Sequence, residues 1–393
     1  MERVRPKISR RDFLAGAGAG FLVLSVGACS GSGSSSSGSK SGGESRAALQ
    51  AELKKIEGKV LSTGPHGEKA TPASEIKLSD QEMKQIKAKK ATAAISLHYG
   101  GNDWSTGQVN GLKSQFKKMG IPVVAVTDAN FDPSKQVSDI RTILAKKPDI
   151  LVSIPTDPDA TASAYRQAVK QGVTIVFMDN VPKGFKPGRD YVSDVSADNY
   201  GNGAVAAHLM AFYLGGEGKI GAVYYAVDFF VTNERYDGFK KTIEEKYPKI
   251  KIVAQQGFSG SDISGSAEQV ASAMLTKYAD LNGMWAVWDV PAEGVMAAAR
   301  NAARNNLVVT TCDLGLPVGI DMASGGIVKG LGAQRPFDQG VTEAKLAGYG
   351  LLNKKAPPYV ALPALPVTKD NVLKAWKIAY HQPPPQKLKE AAQ

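Results

Sequence analysis

The chain has 393 residues, 43% of them hydrophobic and 22% charged, with a formal net charge of +11. That length exceeds one ordinary hydrophobic core and predicts two lobes of roughly 100 residues or a little more each. The composition is that of a globular protein and excludes a chain disordered throughout.

The N-terminus carries the most specific local signal. Ser9-Arg10-Arg11-Asp12-Phe13-Leu14 is a twin-arginine export pattern, and an uncharged Gly/Ala/Leu stretch follows it to Ala28. That stretch is shorter than the roughly 20 apolar residues a membrane span needs. It closes on Val26-Gly27-Ala28-Cys29, which resembles a bacterial lipobox: small residues admit the peptidase and the cysteine thiol takes the lipid. The expectation is a cleaved signal over 1–28, lipidation at Cys29, and an exported protein held by lipid on the outer face of the cytoplasmic membrane. Removing residues 1–28 takes away five basic and two acidic side chains, so the net charge falls from +11 to +8. The remaining basic residues are spread among Lys-rich helices rather than gathered in one block, which reads as a solvated face and not a nucleic-acid patch. Cys312 is then the one cysteine left. It sits in an apolar run, so an internal disulfide is ruled out and a buried small side chain is predicted.

Residues 30–43 are almost only Ser and Gly, a flexible tether. With the Lys/Glu-rich residues 44–90 they form a lead-in, 29–90, expected to stay outside the core. Ser79-Asp80-Gln81-Glu82 predicts a helix start within it. From Thr92 strands and helices alternate. The stretch 92–111 begins as an Ala/Ile-rich strand, passes through a Gly-containing loop and enters a helix, which puts the loop at the carboxyl edge of a parallel sheet, where ligands of open α/β sheets bind. Asn102, Asp103 and Trp104 in that loop set two hydrogen-bonding side chains beside a large ring, a combination suited to a polyhydroxylated ligand. The plainer reading is an Asx cap beside a surface tryptophan. Strand 122–127 follows, then a helix started by the Asp132-Pro133 cap. Strand 149–154 leads to Asp157-Pro158, which repeats the device, and strand 174–178 ends at Asp179-Asn180. Four βα units make a parallel doubly wound lobe. A second lobe of the same construction runs from helix 197–214 through strands 220–225, 250–256, 283–287 and 307–311. Helix 337–352, tail strands within 359–365 and a Pro-rich end complete the chain.

An ordered set of motifs resembles the ribose-type periplasmic binding proteins, the sugar-receptor branch of the type I solute-binding family. The set comprises the opening strand and loop, Ile154-Pro155-Thr156-Asp157, Phe177-Met178-Asp179, Val195-Ser196-Ala197-Asp198-Asn199, Glu234-Arg235-Tyr236-Asp237-Gly238-Phe239, Cys312-Asp313 and Gly332-Ala333-Gln334. The resemblance covers about residues 92–368. It implies an α/β fold of two Rossmann-like lobes with parallel sheets joined by three crossovers, with hinges near Ser196, Gln334 and Pro366. The N-terminal lobe would take 91–196 and 335–365, the C-terminal lobe 197–334 and 366–382, and 383–393 would be a tail. It further implies that Asn102, Trp104, Asp179, Arg235, Asp313 and Gln334 hold a sugar between the lobes, carboxylates accepting from hydroxyls and the guanidinium donating in a fixed plane. Two departures matter. Asn180 stands where ribose binders carry an arginine, and Trp288 stands where an asparagine is usual, with Asp289 a polar candidate beside it. Fewer cations and more ring surface fit another sugar or a polyol better than ribose. His98 and Tyr99 belong at the entrance of such a cleft, His98 reading first as a satisfied strand-end histidine.

Other readings are weaker. Gly216-Glu217-Gly218-Lys219-Ile220-Gly221 spells GxGxxG but precedes a strand, so it is a helix-to-strand turn rather than a dinucleotide site. Asp128-Ala129-Asn130-Phe131-Asp132 mimics the start of a calcium loop but lacks the glycine and glutamate an EF-hand needs. GxSxG and HExxH are absent from the sequence, so no apparatus for nucleophilic or metal-dependent hydrolysis is visible. Sugar-responsive repressors share the implied fold but start with a DNA-binding motif, where this chain starts with an export pattern. The sequence therefore predicts a monomeric, non-enzymatic lipoprotein receptor without cofactor. It would deliver a sugar or polyol to an ABC permease and bind no nucleic acid. The alternatives are a sensory receptor or a binder of a nucleoside or other non-sugar solute.

Overall fold

The computed structural model describes residues 38–393. The predicted signal over 1–28, Cys29 and the tether as far as residue 37 lie outside the described residues. Helix α1 (Gly38–Ile56) reaches back into the predicted tether, carried by the strong helix formers of 47–56. Strand β1 (Thr71–Pro72) and helix α2 (Asp80–Ala88) complete the lead-in. The first lobe then alternates β2 (Ala93–Leu97), α3 (Asp103–Met119), β3 (Val123–Asp128), α4 (Pro133–Ala145), β4 (Ile150–Ser153), α5 (Ala162–Lys170), β5 (Thr174–Met178) and β6 (Asp194–Ala197). The second runs α6 (Asn199–Tyr213), β7 (Gly218–Tyr225), α7 (Phe230–Lys246), β8 (Ile250–Phe258), α8 (Ile263–Lys277), β9 (Gly283–Ala286), α9 (Asp289–Asn301), β10 (Val308–Cys312), α10 (Leu316–Ala323) and β11 (Val328–Ala333). The chain ends with α11 (Pro336–Leu351), β12 (Tyr359–Leu362), β13 (Leu365–Thr368), α12 (Val372–Tyr380) and α13 (Gln386–Ala391).

Two sheets result, in the orders β1-β12-β6-β5-β4-β2-β3 and β13-β11-β10-β9-β7-β8. Every pairing is parallel except β11 with β13. Strands β2, β4, β9 and β10 are buried along their whole length, as expected where helices cover both faces. Edge strand β3 alternates half-buried and exposed residues instead. The chain passes between the sheets three times, after β6, after β11 and between β12 and β13.

Local chemistry explains the helix starts. Ser79 and Glu82 form a capping box on α2, and Asp132 accepts from the amides of Ser134 and Lys135 with Pro133 in the first turn of α4. The second Asp-Pro pair acts differently. Asp157 accepts from the amides of Asp159 and Ala160, which closes a turn, and α5 begins only at Ala162.

The lead-in and the tail both belong to the fold, contrary to the expectation. Strand β1 adds to the first sheet beside β12. Ile76 and Ile86 are buried, Ile86 against Gly348 of α11, because the apolar residues of α2 fall on one face. Between α1 and β1 the chain crosses the first crossover. The Ser62 amide donates to Asp198 at 2.9 Å, the Ser62 hydroxyl accepts from the Tyr200 amide at 2.9 Å, and the Thr63 amide donates to Glu234 of α7 at 3.4 Å. At the other end α13 buries Leu388 beside Gly319 of α10, so the Pro-rich run 383–385 links two packed helices.

Glu234 gives this strap a pH dependence. Burial pushes its carboxyl up to about 7, against the pull of bonds to Ser62 and Thr63 and helped by nearby Asp198 and Asp237. A carboxyl raised in the folded state stabilises the fold fully below its unfolded value and loses that contribution as pH rises through 7. Glu234→Gln, a mimic of the neutral form, should therefore melt higher than the parent above pH 7, with the gain shrinking towards pH 4.5. A melting difference that stays constant over that range would contradict this assignment.

Candidate functional site

The carboxyl ends of the parallel strands of both sheets face each other, and a narrow cleft with about 40 Å³ of free volume lies between them. The first lobe contributes His98, Tyr99 and Trp104 after β2, Phe131 after β3, Ile154 after β4 and Asp179 after β5. The second contributes Tyr225 at the end of β7 and Phe229 after it, Val231, Thr232 and Arg235 on α7, Trp288 and Asp289 after β9, and Asp313 after β10. Gln334 enters from the second crossover.

The polar centre is Arg235. Its Nη1 donates to Asp313 at 2.8 Å and to the Val287 carbonyl at 3.3 Å, and its Nη2 reaches the other Asp313 oxygen at 3.5 Å. Its Nε donates to Asn199 at 2.9 Å. Asn199 donates in turn to the Ser196 hydroxyl at 2.9 Å, which donates to Asp179 at 2.6 Å. An unbroken hydrogen-bonded chain thus runs from Asp313 in one lobe to Asp179 in the other, through the first crossover. Burial opposes the Arg235 charge, but Asp313, Cys312 and Asp179 together outweigh it and hold the guanidinium above its ordinary pKa. Burial pushes Asp179 up to about 6, with the Ser196 hydroxyl and Arg235 pulling the other way. Asp289 is raised well above the usual carboxylate range, first by burial and then by Asp313, Glu293 and Asp103. His98 is driven down to about 3 by burial and by Arg235, and is therefore neutral.

Asp179 and Asp313 occupy equivalent corners. Each follows its strand with a left-handed backbone, φ 59° and 65°, a conformation that Asp tolerates better than most side chains. Phe131 adopts φ 57°, where a bulky residue costs on the order of 1–3 kcal/mol. The turn is held by its amide, which donates to the His98 carbonyl at 2.7 Å, and it stacks the Phe131 ring on Tyr99 at 4.3 Å. Further rings complete the walls: His98 stacks on Phe229 across the lobes at 5.6 Å, and Tyr225 meets Trp288 edge-on at 5.5 Å.

Of the residues read from the sequence, Trp104, Asp179, Arg235, Trp288, Asp289, Asp313 and Gln334 come together at this cavity, as do His98 and Tyr99. Asn102, Asp103 and Asn180 do not line it. Asn102 caps α3, its side chain accepting from the Ser105 amide at 2.8 Å, which is the plainer reading of that loop. Asp103 crosses the cleft and accepts from the Leu316 amide at 2.7 Å, joining the starts of α3 and α10. Asn180 lines an adjacent depression with Lys183, Phe230 and Asn233. Phe131, Tyr225 and Phe229 escaped the sequence reading. Their signal was available: aromatic residues in the loops after strands that end at one sheet edge.

Residues 93–355 match the periplasmic binding protein domain, two thirds of the chain. The chain belongs to the periplasmic binding protein family. It is 25% identical to the ribose import binding protein of Escherichia coli (strain K12) over 287 residues, 73% of this chain and 93% of that protein. It is 24% identical to the D-allose-binding periplasmic protein of the same organism, over 71% of this chain and 92% of that one. Among solved structures it is similar to a sugar ABC transporter sugar-binding protein from Bacillus halodurans, at 25% identity and a TM-score of 0.62 over 72% of this chain and 98% of that one. A solute-binding protein from Agrobacterium vitis bound with alpha-D-tagatopyranose shares the fold, with a TM-score of 0.68 at 20% identity over 75% and 100% of the two chains. The lead-in that straps the hinge of this binding protein precedes the matched region.

Proposed function

We propose that this periplasmic binding protein is the extracytoplasmic solute receptor of an ABC importer and binds a monosaccharide or polyol between its lobes. The observation that carries the reading is the cavity itself: an Arg235–Asp313 fork from one lobe opposite Asp179 from the other, between aromatic faces. Rings cover the C–H faces of a sugar while carboxylates accept from its hydroxyls. The Trp104 Nε1 donor and the Gln334 Oε1 acceptor are buried at the cavity without a protein partner, which suits them to polar atoms of a ligand. Binding proceeds by hinge closure at the three crossovers, and the closed form is what the permease recognises. The binding residues are Trp104, Asp179, Arg235, Trp288, Asp289, Asp313 and Gln334. The export pattern and Cys29 support anchoring by lipid outside the cytoplasmic membrane, where the receptor would act as a monomer.

A thermal-shift screen of the full-length protein against pentoses, hexoses, polyols and nucleosides tests this. A ligand that binds only the folded form raises the melting temperature with its occupancy. A shift with a sugar or polyol is expected. A shift confined to nucleosides would overturn the ligand class.

A further inference from the structure

We infer that the solute of this cleft carries a positive charge, an amine-bearing sugar or polyol rather than a neutral one. This rests on the proposed sugar-class reading of the same cavity and narrows it. The charged walls do not balance. Arg235, Asp179, Asp289 and Asp313 line the cavity, and no lysine or second arginine does among the described residues. The guanidinium is committed to Asp313, Asn199 and the Val287 carbonyl, so it neutralises one carboxylate. Asp179 receives a hydroxyl from Ser196 and no cation within bonding distance. Asp289 is acted on chiefly by the acids Asp313, Glu293 and Asp103, with the Val290 amide the main group favouring its charge.

Two carboxyls at one cavity without counter-ions are costly to ionise in a site this dry, since a buried unpaired charge costs several kcal/mol. The raised pKa values of Asp179 and Asp289 express the same cost. A neutral ligand can share hydrogen bonds with these carboxyls but offers nothing to offset their ionisation. An ammonium group supplies both donors and the missing charge. The remaining walls favour it too. The lining is rich in aromatic rings, whose faces attract a cation. Gln334 Oε1, on a residue 4% exposed, adds an acceptor that no protein donor fills.

Calorimetric titration of the full-length protein at pH 7 decides it. The probes are 2-amino-2-deoxyhexoses and 1-amino-1-deoxypolyols, each beside its neutral parent and its N-acetyl derivative. We expect at least one free amine to bind about 30-fold or more tightly than its two uncharged counterparts, in keeping with a desolvated cation on paired aromatic and carboxylate groups. In Asp289→Asn, shown to be folded by its melting curve, that preference should fall about tenfold or more. A neutral sugar binding as tightly as its amine would overturn the inference and leave the sugar-receptor reading standing. Silence from every neutral and amino compound would overturn both.

Discussion

Replacing Arg235 by alanine should abolish solute binding and lower the stability of the protein by about 3–5 kcal/mol, the usual cost of removing one partner from a buried ion pair. The pair is almost fully enclosed, Arg235 at 4% and Asp313 at 6% exposure. Removing the guanidinium strands the Asp313 carboxylate and takes the donors from Asn199 and the Val287 carbonyl. Arg235→Lys keeps the charge but loses the planar fork, so it should recover part of the stability and little of the binding. Denaturant unfolding and calorimetry measure the two effects. A stability loss under about 1 kcal/mol in Arg235→Ala would mean the pair is solvated and the site is not the closed one described here.

A comparable loss is expected where the helices cross. In each lobe two helices cross at reciprocal glycines. A methyl group on Gly203 of α6 would sit 2.1 Å from the Arg235 carbonyl of α7, and one on Gly238 of α7 would sit 2.1 Å from the Tyr200 carbonyl of α6. In the first lobe Gly111 of α3 meets Phe337 and Gly340 of α11 meets Gln108 in the same way. The obstacles are backbone atoms, which cannot swing aside. Gly203→Ala and Gly111→Ala should each cost about 3 kcal/mol or more, at the upper end of overpacking. Gly319→Ala is the control. Its nearest neighbours would be side-chain carbons at 3.5 Å, so the helix propensity of alanine should leave stability equal or improved. Equal effects at the three sites would contradict the close helix crossings. The Gly203 change also bears on function, because α7 carries Arg235.

These two results draw on different depths of the sequence. The alternating pattern from Thr92 onward made the two-lobed α/β architecture legible, since strands buried on both faces read as apolar runs and caps such as Asp132-Pro133 act through local hydrogen bonds. Asp179, Arg235 and Asp313 were legible because they stand at strand ends and in recognisable motifs. Asn102 misled because an Asx cap and a ligand amide use the same side chain, and only the Ser105 amide at 2.8 Å separates the two. Asp103 and Asn180 adjoin lining residues, but what they contact depends on how the opposite lobe and the neighbouring loops close. The lead-in was misjudged because its charged composition says nothing about a single serine bridging the hinge to Asp198. Phe131 was hidden for a related reason: its ring reaches the cavity through a strained left-handed turn that no periodicity announces.

The central claim is that solute sits between the two lobes against Trp104 and Trp288. Two of the four tryptophans therefore report directly on the site, while Trp285 stacks on Phe239 and Trp376 packs with Tyr380. Titrating the full-length protein with a sugar or polyol found by thermal shift, and following tryptophan emission, tests the claim most directly. A saturable change is predicted for the wild type, and its loss at saturating solute in the double variant Trp104→Phe, Trp288→Phe. A change of the same size in the double variant would place the solute outside the cleft.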